Sequence, residues 1–209
     1  MAASLLVHPA DAASDLALLA TRLAACRLCA GVTPPPIAAV TPGQRALIVG
    51  QAPGIHEPAL GRPFAAAAGL RLRRWFAAYG LEDEDRFRAT FAMTAVAKCY
   101  PGRVPGGRGD RRPSRAELAA CAPWTAAQLR LLDPVLVIPV GGMAIEQLLG
   151  PGRLVDVIGT SRSVAGRLVV PLPHPSGASA WTNAPANRAL VERAVTLICG
   201  ALGLPPTPA

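Results

Sequence analysis

Short apolar runs cut off by glycine or proline set the strongest limit on how this chain can fold. Leu47-Ile48-Val49 runs straight into Gly50-Gln51-Ala52-Pro53-Gly54. Similar runs at about Thr90–Val96, Pro134–Val140 and Arg167–Leu172 end near Tyr100-Pro101, Gly141-Gly142 and Pro173-His174-Pro175. Apolar runs this short, bounded by turn residues, read as buried strands. Between them lie segments with helical spacing: residues 11–29, 66–79, 115–132, a short one ending at Gly150, and 186–202. Ser114-Arg115-Ala116-Glu117 is a capping box that opens the third of these. Alternation of strand and helix predicts an α/β fold, a three-layer α/β/α sandwich on a four-stranded parallel sheet.

The expected organisation is one domain over residues 1–209, with a core over about 20–200 and loose tails at 1–10 and 203–209. A chain of 209 residues with 51% hydrophobic content can bury a sizeable core. Residues 82–85 and 151–166 read as irregular or solvated. In an open parallel sheet, ligands sit at the carboxyl ends of the strands, so a cleft is expected among the loops 50–64, 97–113 and 173–183.

The net charge of +8 favours a polyanionic partner, and arginine supplies nearly all of it, Lys98 being the one lysine. No run reaches the roughly 18 apolar residues of a membrane span, and the first residues lack the pattern of a signal peptide. A cytoplasmic monomer without membrane contact is therefore expected, and a disulfide framework is not. Two residues separate Cys26 from Cys29, and Cys99 and Cys121 follow in loop and helix positions. Four thiolates so placed suit zinc or an iron–sulfur cluster, and the spacing does not choose between them. Cys199, on the apolar side of the last helix, reads as core.

Taken together, the motifs resemble a known family. Gly50-Gln51-Ala52-Pro53-Gly54, Gly61-Arg62-Pro63-Phe64, Thr94–Pro101, Cys121-Ala122-Pro123-Trp124 and His174-Pro175-Ser176-Gly177 occur in the order found in uracil-DNA glycosylases. The four cysteines make the chain most similar to the family 4 branch, which carries a [4Fe–4S] cluster. The resemblance implies an enzyme of base excision repair that flips uracil, or another deaminated base, out of DNA and hydrolyses its N-glycosidic bond. It implies that His174 donates a hydrogen bond to the base oxygen and that Phe64 stacks on the base. It also implies that the Gly50–Gly54 backbone, at Gly50, Gln51 and Ala52, contacts the base and positions water. It further implies that the loop holding Ser176, Gly177, Ser179 and Trp181 enters the minor groove, with Trp181 either a wedge or packed on the last helix. Arg71, Arg73, Arg74, Arg103, Arg108, Arg111 and Arg112 are candidate phosphate contacts. Cys26, Cys29, Cys99 and Cys121 are the implied cluster ligands, with zinc as the alternative.

Three departures stand out. Family 4 proteins carry a glutamate where this chain has Gln51, and Glu57 is then the expected water-positioning carboxylate. Ala95 replaces the asparagine that reads the uracil edge. The loop between Cys99 and Cys121 is long and arginine-rich but holds no histidine, so covalent trapping of DNA is not expected. Gln51 and Ala95 also motivate a second reading, a catalytically weakened DNA-binding protein of the same fold that recognises damaged or single-stranded DNA.

Overall fold

The computed structural model describes residues 9–107, 109–177 and 179–207. Its centre is β1 (Ala46–Gly50), flanked by β2 (Phe91–Ala95) and β3 (Leu136–Pro139), all parallel. Beyond β3 lie β5 (Arg167–Val169), also parallel, and β4 (Arg162–Val164), antiparallel at the edge, giving the order β2-β1-β3-β5-β4. The expected four parallel strands are present, and the sheet has a fifth. Residues 151–166, read as irregular, hold β4 and the short helix α7 (Leu154–Val157). β4 escapes pattern reading because all three of its residues are exposed. Its turn, Ala165-Gly166, has positive φ at both positions (48° and 79°), the geometry of a tight hairpin without the usual Asn-Gly signature.

The short α2 (Glu57–Leu60) follows the loop after β1, and longer helices cover both faces. On one lie α3 (Ala67–Arg74), α4 (Glu84–Thr90) and α8 (Pro185–Leu202). On the other lie α5 (Arg115–Leu132) and α6 (Gly142–Leu149), with α1 (Pro9–Ala24) packed against α5. The strand period of two divides β1 between the layers. Ala46 and Ile48 join the cluster of Leu72, Phe76, Phe87, Phe91, Val195 and Ile198, while Leu47 and Val49 join Ala92, Val137, Met143 and Ala144. Phe76, Phe87 and Phe91 pack with ring centroids 4.8–5.5 Å apart, in the edge and tilted geometries that aromatic quadrupoles prefer. Cys199 is fully buried there, as expected.

Local chemistry explains where the helices start. Ser114 Oγ accepts the Glu117 N–H and the Glu117 side chain accepts the Ser114 N–H, completing the capping box. Asp83, placed in a solvated turn by sequence, caps α4 by accepting the Arg86 N–H. The 203–207 tail is docked rather than loose: Leu204 packs on the core, and the Thr207 N–H donates to the Ala78 carbonyl at 2.7 Å.

The proline-rich segment 33–40 runs antiparallel along the outer edge of β2, with bridges Thr33–Tyr100 and Ala39–Met93. That cover satisfies an edge which would otherwise expose unpaired backbone groups. It also draws the turn after α1, with Cys26 and Cys29, towards Cys99.

Candidate active site

The sheet order reverses at β1 and β3, and a cleft of about 300 Å³ opens at the carboxyl ends of the strands there. Its walls come from 50–57 after β1, Thr94 and Ala95 on β2, Val140 after β3, and His174 and Ser176 after β5. Thus Gly50, Gln51, Ala52, Glu57, Phe64, Ala95 and His174, far apart in sequence, share one cavity.

Phe64 is held in an unusual pose. Its φ of 51° is left-handed backbone, costly for a residue with a side chain and characteristic of sites where geometry is imposed. Several contacts impose it. A Cβ on Gly69 of α3 would fall 1.7 Å from the Phe64 carbonyl oxygen, so only glycine admits that backbone. Arg88 donates to the Pro63 carbonyl at 3.1 Å, and the Ala65 N–H donates to Glu57 Oε1 at 3.2 Å. The ring lies over Gly50, where a Cβ would meet the ring's Cζ at 3.0 Å. Its partly exposed face lines the cleft, as a stacking platform requires.

His174 sits opposite. The Ser176 N–H donates to its Nδ1 at 3.2 Å. An Nδ1 that accepts carries no proton, so the neutral ring holds its hydrogen on Nε2. Desolvation by the surrounding protein lowers the His174 pKa, and the residue, exposed overall, lines the cleft. The residue is therefore a neutral donor.

Glu57 lies in the cleft wall. Only 9% exposed, it accepts the Gly54 N–H on Oε2 at 2.6 Å and the Ala65 N–H on Oε1. Burial raises its pKa, and these backbone donors and Arg88 partly offset that. Both oxygens brace the 50–54 loop against the 63–65 turn, and each keeps a further lone pair on the cleft wall. Gln51 lines the cleft through its loop position, and its carbonyl accepts the Ala97 N–H.

Beside the cleft runs a shallower groove of about 260 Å³, walled by Arg71, Arg74, Trp75, Ser176, Gly177 and Ser179 among others. The Arg71 guanidinium lies so close to Gly177 that a Cβ there would meet its nitrogens at 2.8–2.9 Å. Trp181 is set back from the groove, packed on the core, and its carbonyl accepts from Asn187 Nδ2 at 2.8 Å. The arginines separate. Arg111 donates to both oxygens of Glu117 at 2.6 and 2.9 Å and clamps its loop, so it is not a free phosphate contact. Arg73 pairs with Glu84, and Arg74 stands 3.8 Å from Glu82. Arg112 is exposed, and Arg108 lies outside the described residues.

A separate cavity of about 130 Å³ is lined by all four expected ligand cysteines, with Lys98 and Trp124. The Lys98 N–H approaches Cys121 Sγ at 3.5 Å. Burial first, then the neighbouring cysteines, pushes the Cys99 thiol up to about 11. Cys29 rises for related reasons: burial, then Cys121, Glu117 and Cys26. Among the described residues, no three His, Cys, Asp or Glu side chains stand ready to hold a metal ion, so the thiols wall a cavity rather than close on one point. Lys98 is itself buried, and its ammonium ties the Ala95 carbonyl on the cleft wall to Thr125 of α5. Its position beside Cys99 gave no sign of this.

Comparisons with known proteins agree with the geometry. At 34% identity over 114 residues, the chain is similar to the type-4 uracil-DNA glycosylase of Pyrobaculum aerophilum, covering 54% of this chain and 53% of that one. The type-4 uracil-DNA glycosylase of Thermotoga maritima is 29% identical over 136 residues, 63% of this chain and 65% of its own. A type-5 uracil-DNA glycosylase of Thermus thermophilus is 34% identical over 119 residues, 52% and 51% respectively. The chain thus spans about half to two thirds of the length of these relatives. The profile of the uracil DNA glycosylase superfamily matches residues 38–197, a stretch that runs from the strand cover through β5 and the His174 loop into α8. With its cleft at the switch point of a parallel sheet inside that match, the chain belongs to the uracil DNA glycosylase superfamily.

Proposed function

We propose that the protein is a DNA glycosylase of base excision repair that hydrolyses the N-glycosidic bond of a flipped-out uracil. The observation that carries this reading is the pairing of His174, a neutral Nε2–H donor, with the Phe64 ring, held on left-handed backbone, in one cleft. The flipped base stacks on Phe64 between the Gly50–Ala52 backbone and His174. As the C1′–N1 bond breaks, negative charge gathers on the base oxygens. A prepositioned donor in a site shielded from water stabilises that charge without reorganising. A neutral imidazole suits the task, because a weaker acid does not surrender its proton to the departing base. Ala95 brings no hydrogen-bonding side chain to the cleft, so selectivity rests on shape, on the backbone and on His174.

The groove beside the cleft supports DNA as the partner. Arg71, Ser176, Gly177 and Ser179 face the strand's phosphates, exposed Arg112 adds to the field, and Trp181 anchors the segment from behind. The cysteine cavity supports a cluster. Four soft thiolate donors around a space suit a polynuclear [4Fe–4S] group, whereas one zinc would draw the sulfurs to about 2.3 Å from a single centre. Cys26, Cys29, Cys99 and Cys121 would hold it, and it would staple the turn after α1 to β2 and α5. Among the described residues no helix is long and apolar enough to cross a membrane. We take the protein to work as a cytoplasmic monomer.

The test is single-turnover cleavage of oligonucleotides carrying uracil, hypoxanthine or xanthine, in single and double strands. Abasic product from the uracil strand is expected. Tight DNA binding with no abasic product from any of them overturns the enzyme reading in favour of a damage-binding protein.

A further inference from the structure

Two carboxylates line the cleft, Glu57 and Asp110, and they are held differently. Both oxygens of Glu57 accept from backbone N–H groups. Asp110 comes from the arginine-rich loop that made this chain's cysteine spacing unusual. The described residues of that loop pair as a hairpin: Arg103 bridges Asp110 antiparallel, the Val104 N–H donates to Gly109, and the Arg111 N–H donates to Gly102. The Arg111–Glu117 pair fastens it to the first turn of α5. The hydroxyl of buried Tyr100 donates to Asp110 Oδ1 at 2.9 Å, which fixes the carboxylate's rotation. Oδ2 accepts from no described residue. It lies 3.6 Å from the point a Cβ on Gly54 would occupy, over the loop that carries Gln51.

From this we infer that Asp110 is the carboxylate that binds and activates the hydrolytic water, in place of the acid missing at Gln51. The role rests on the glycosylase reading. In the reaction, the C1′–N1 bond breaks and its electron pair leaves with the base as the uracil anion. The water oxygen bonds to C1′, and one water proton passes to Asp110 Oδ2. The other remains on the new hydroxyl of the abasic sugar, and the proton on Asp110 is then released to neutralise the uracil. Hydrogen bonding to Tyr100 leaves Oδ2 as the acceptor, and solvent exposure at the mouth of the cleft supplies the water. Glu57 keeps the loop beneath in place.

The test measures single-turnover excision of uracil by the wild type, Asp110→Asn, Asp110→Ala and Glu57→Gln. Binding to an oligonucleotide with non-cleavable 2′-fluoro-deoxyuridine is measured alongside. Asp110→Asn is expected to slow excision about 100-fold, within the usual range for a lost general base, with binding changed less than about twofold. In Asp110→Ala, added formate is expected to restore the rate about tenfold or more, which a structural role of the side chain would not permit. An active wild type with Asp110→Asn within about threefold of it overturns the inference, and a severe loss in Glu57→Gln would then hand the role to Glu57. Equal losses of excision and binding without formate rescue also overturn it, since they mark a hairpin support. A wild type that excises no uracil from any strand overturns the glycosylase reading itself, and the Asp110 role falls with it.

Discussion

Replacing Glu117 with glutamine should reveal what holds the arginine-rich hairpin in place. The Glu117 carboxylate accepts two hydrogen bonds from Arg111, at 2.6 and 2.9 Å, and one from the Ser114 N–H at 2.7 Å. Its side chain is 11% exposed and that of Arg111 28%. Arg111 first, then the Ser114 backbone, brings the carboxyl from an ordinary 4.5 down to about 2, against an opposing contribution from burial. Such a displacement corresponds to a ceiling of roughly 3 kcal/mol at neutral pH. Solvent screening at the partly exposed arginine lowers the expected cost of Glu117→Gln to about 1–2 kcal/mol. The sign follows from a pKa lower in the folded state than in the unfolded chain. The contribution is complete above the unfolded value and drains as pH falls from about 5 towards 2. Urea unfolding of both proteins at pH 7 and pH 3 checks this. The difference should shrink by more than half at pH 3. A difference that is the same at both pH values, or below about 0.3 kcal/mol at pH 7, refutes the argument. Arg111→Met should cost a similar amount, and the double variant little more than either single one.

Other consequences are equally open to measurement. His174→Ala should lower single-turnover excision by about 100-fold or more while leaving affinity for DNA nearly intact, because its donor acts on charge that develops during bond breaking. Gly69→Ala forces the Phe64 backbone away, since a Cβ meets the Phe64 carbonyl oxygen at 1.7 Å. A thermal melt should show a loss of about 1–3 kcal/mol, as for an overpacked site, together with weakened excision; an unchanged protein would mean that α3 shifts freely. Arg71→Gln should weaken binding to all DNA sequences alike and reduce the steepness of its salt dependence by about one phosphate contact. Purified protein should be brown with about four irons per chain, and colourless protein with one zinc would rule out the cluster.

How much was legible beforehand depended on the range of the interaction. The parallel strands announce themselves because burial on both faces demands consecutive apolar residues, as in Leu47-Ile48-Val49. The start of α5 is legible because Ser114 and Glu117 satisfy each other's backbone across three residues. His174 and Phe64 stand out at turns that carry glycine and proline. β4 is hidden, since a three-residue exposed strand has no pattern to read. Gly69 is hidden in a run of alanines, although the backbone it admits decides where Phe64 points.

The charged residues mark the boundary most clearly. By itself the sequence determined an α/β sheet with loops gathered at one end, a basic chain, four cysteines at a spacing that suits chelation and a histidine at a strand's end. Those traits arise from neighbours along the chain, through periodicity, capping and turn chemistry. Only the tertiary structure decided that Glu57 ties the 50–54 loop to the 63–65 turn, that Arg111 pairs with Glu117, and that Asp110 reaches the cleft. A carboxylate or guanidinium takes its partner from whatever segment crosses it. Here that partner was set by the 33–40 strand cover, the 102–111 hairpin and the docking of Phe64 against α3.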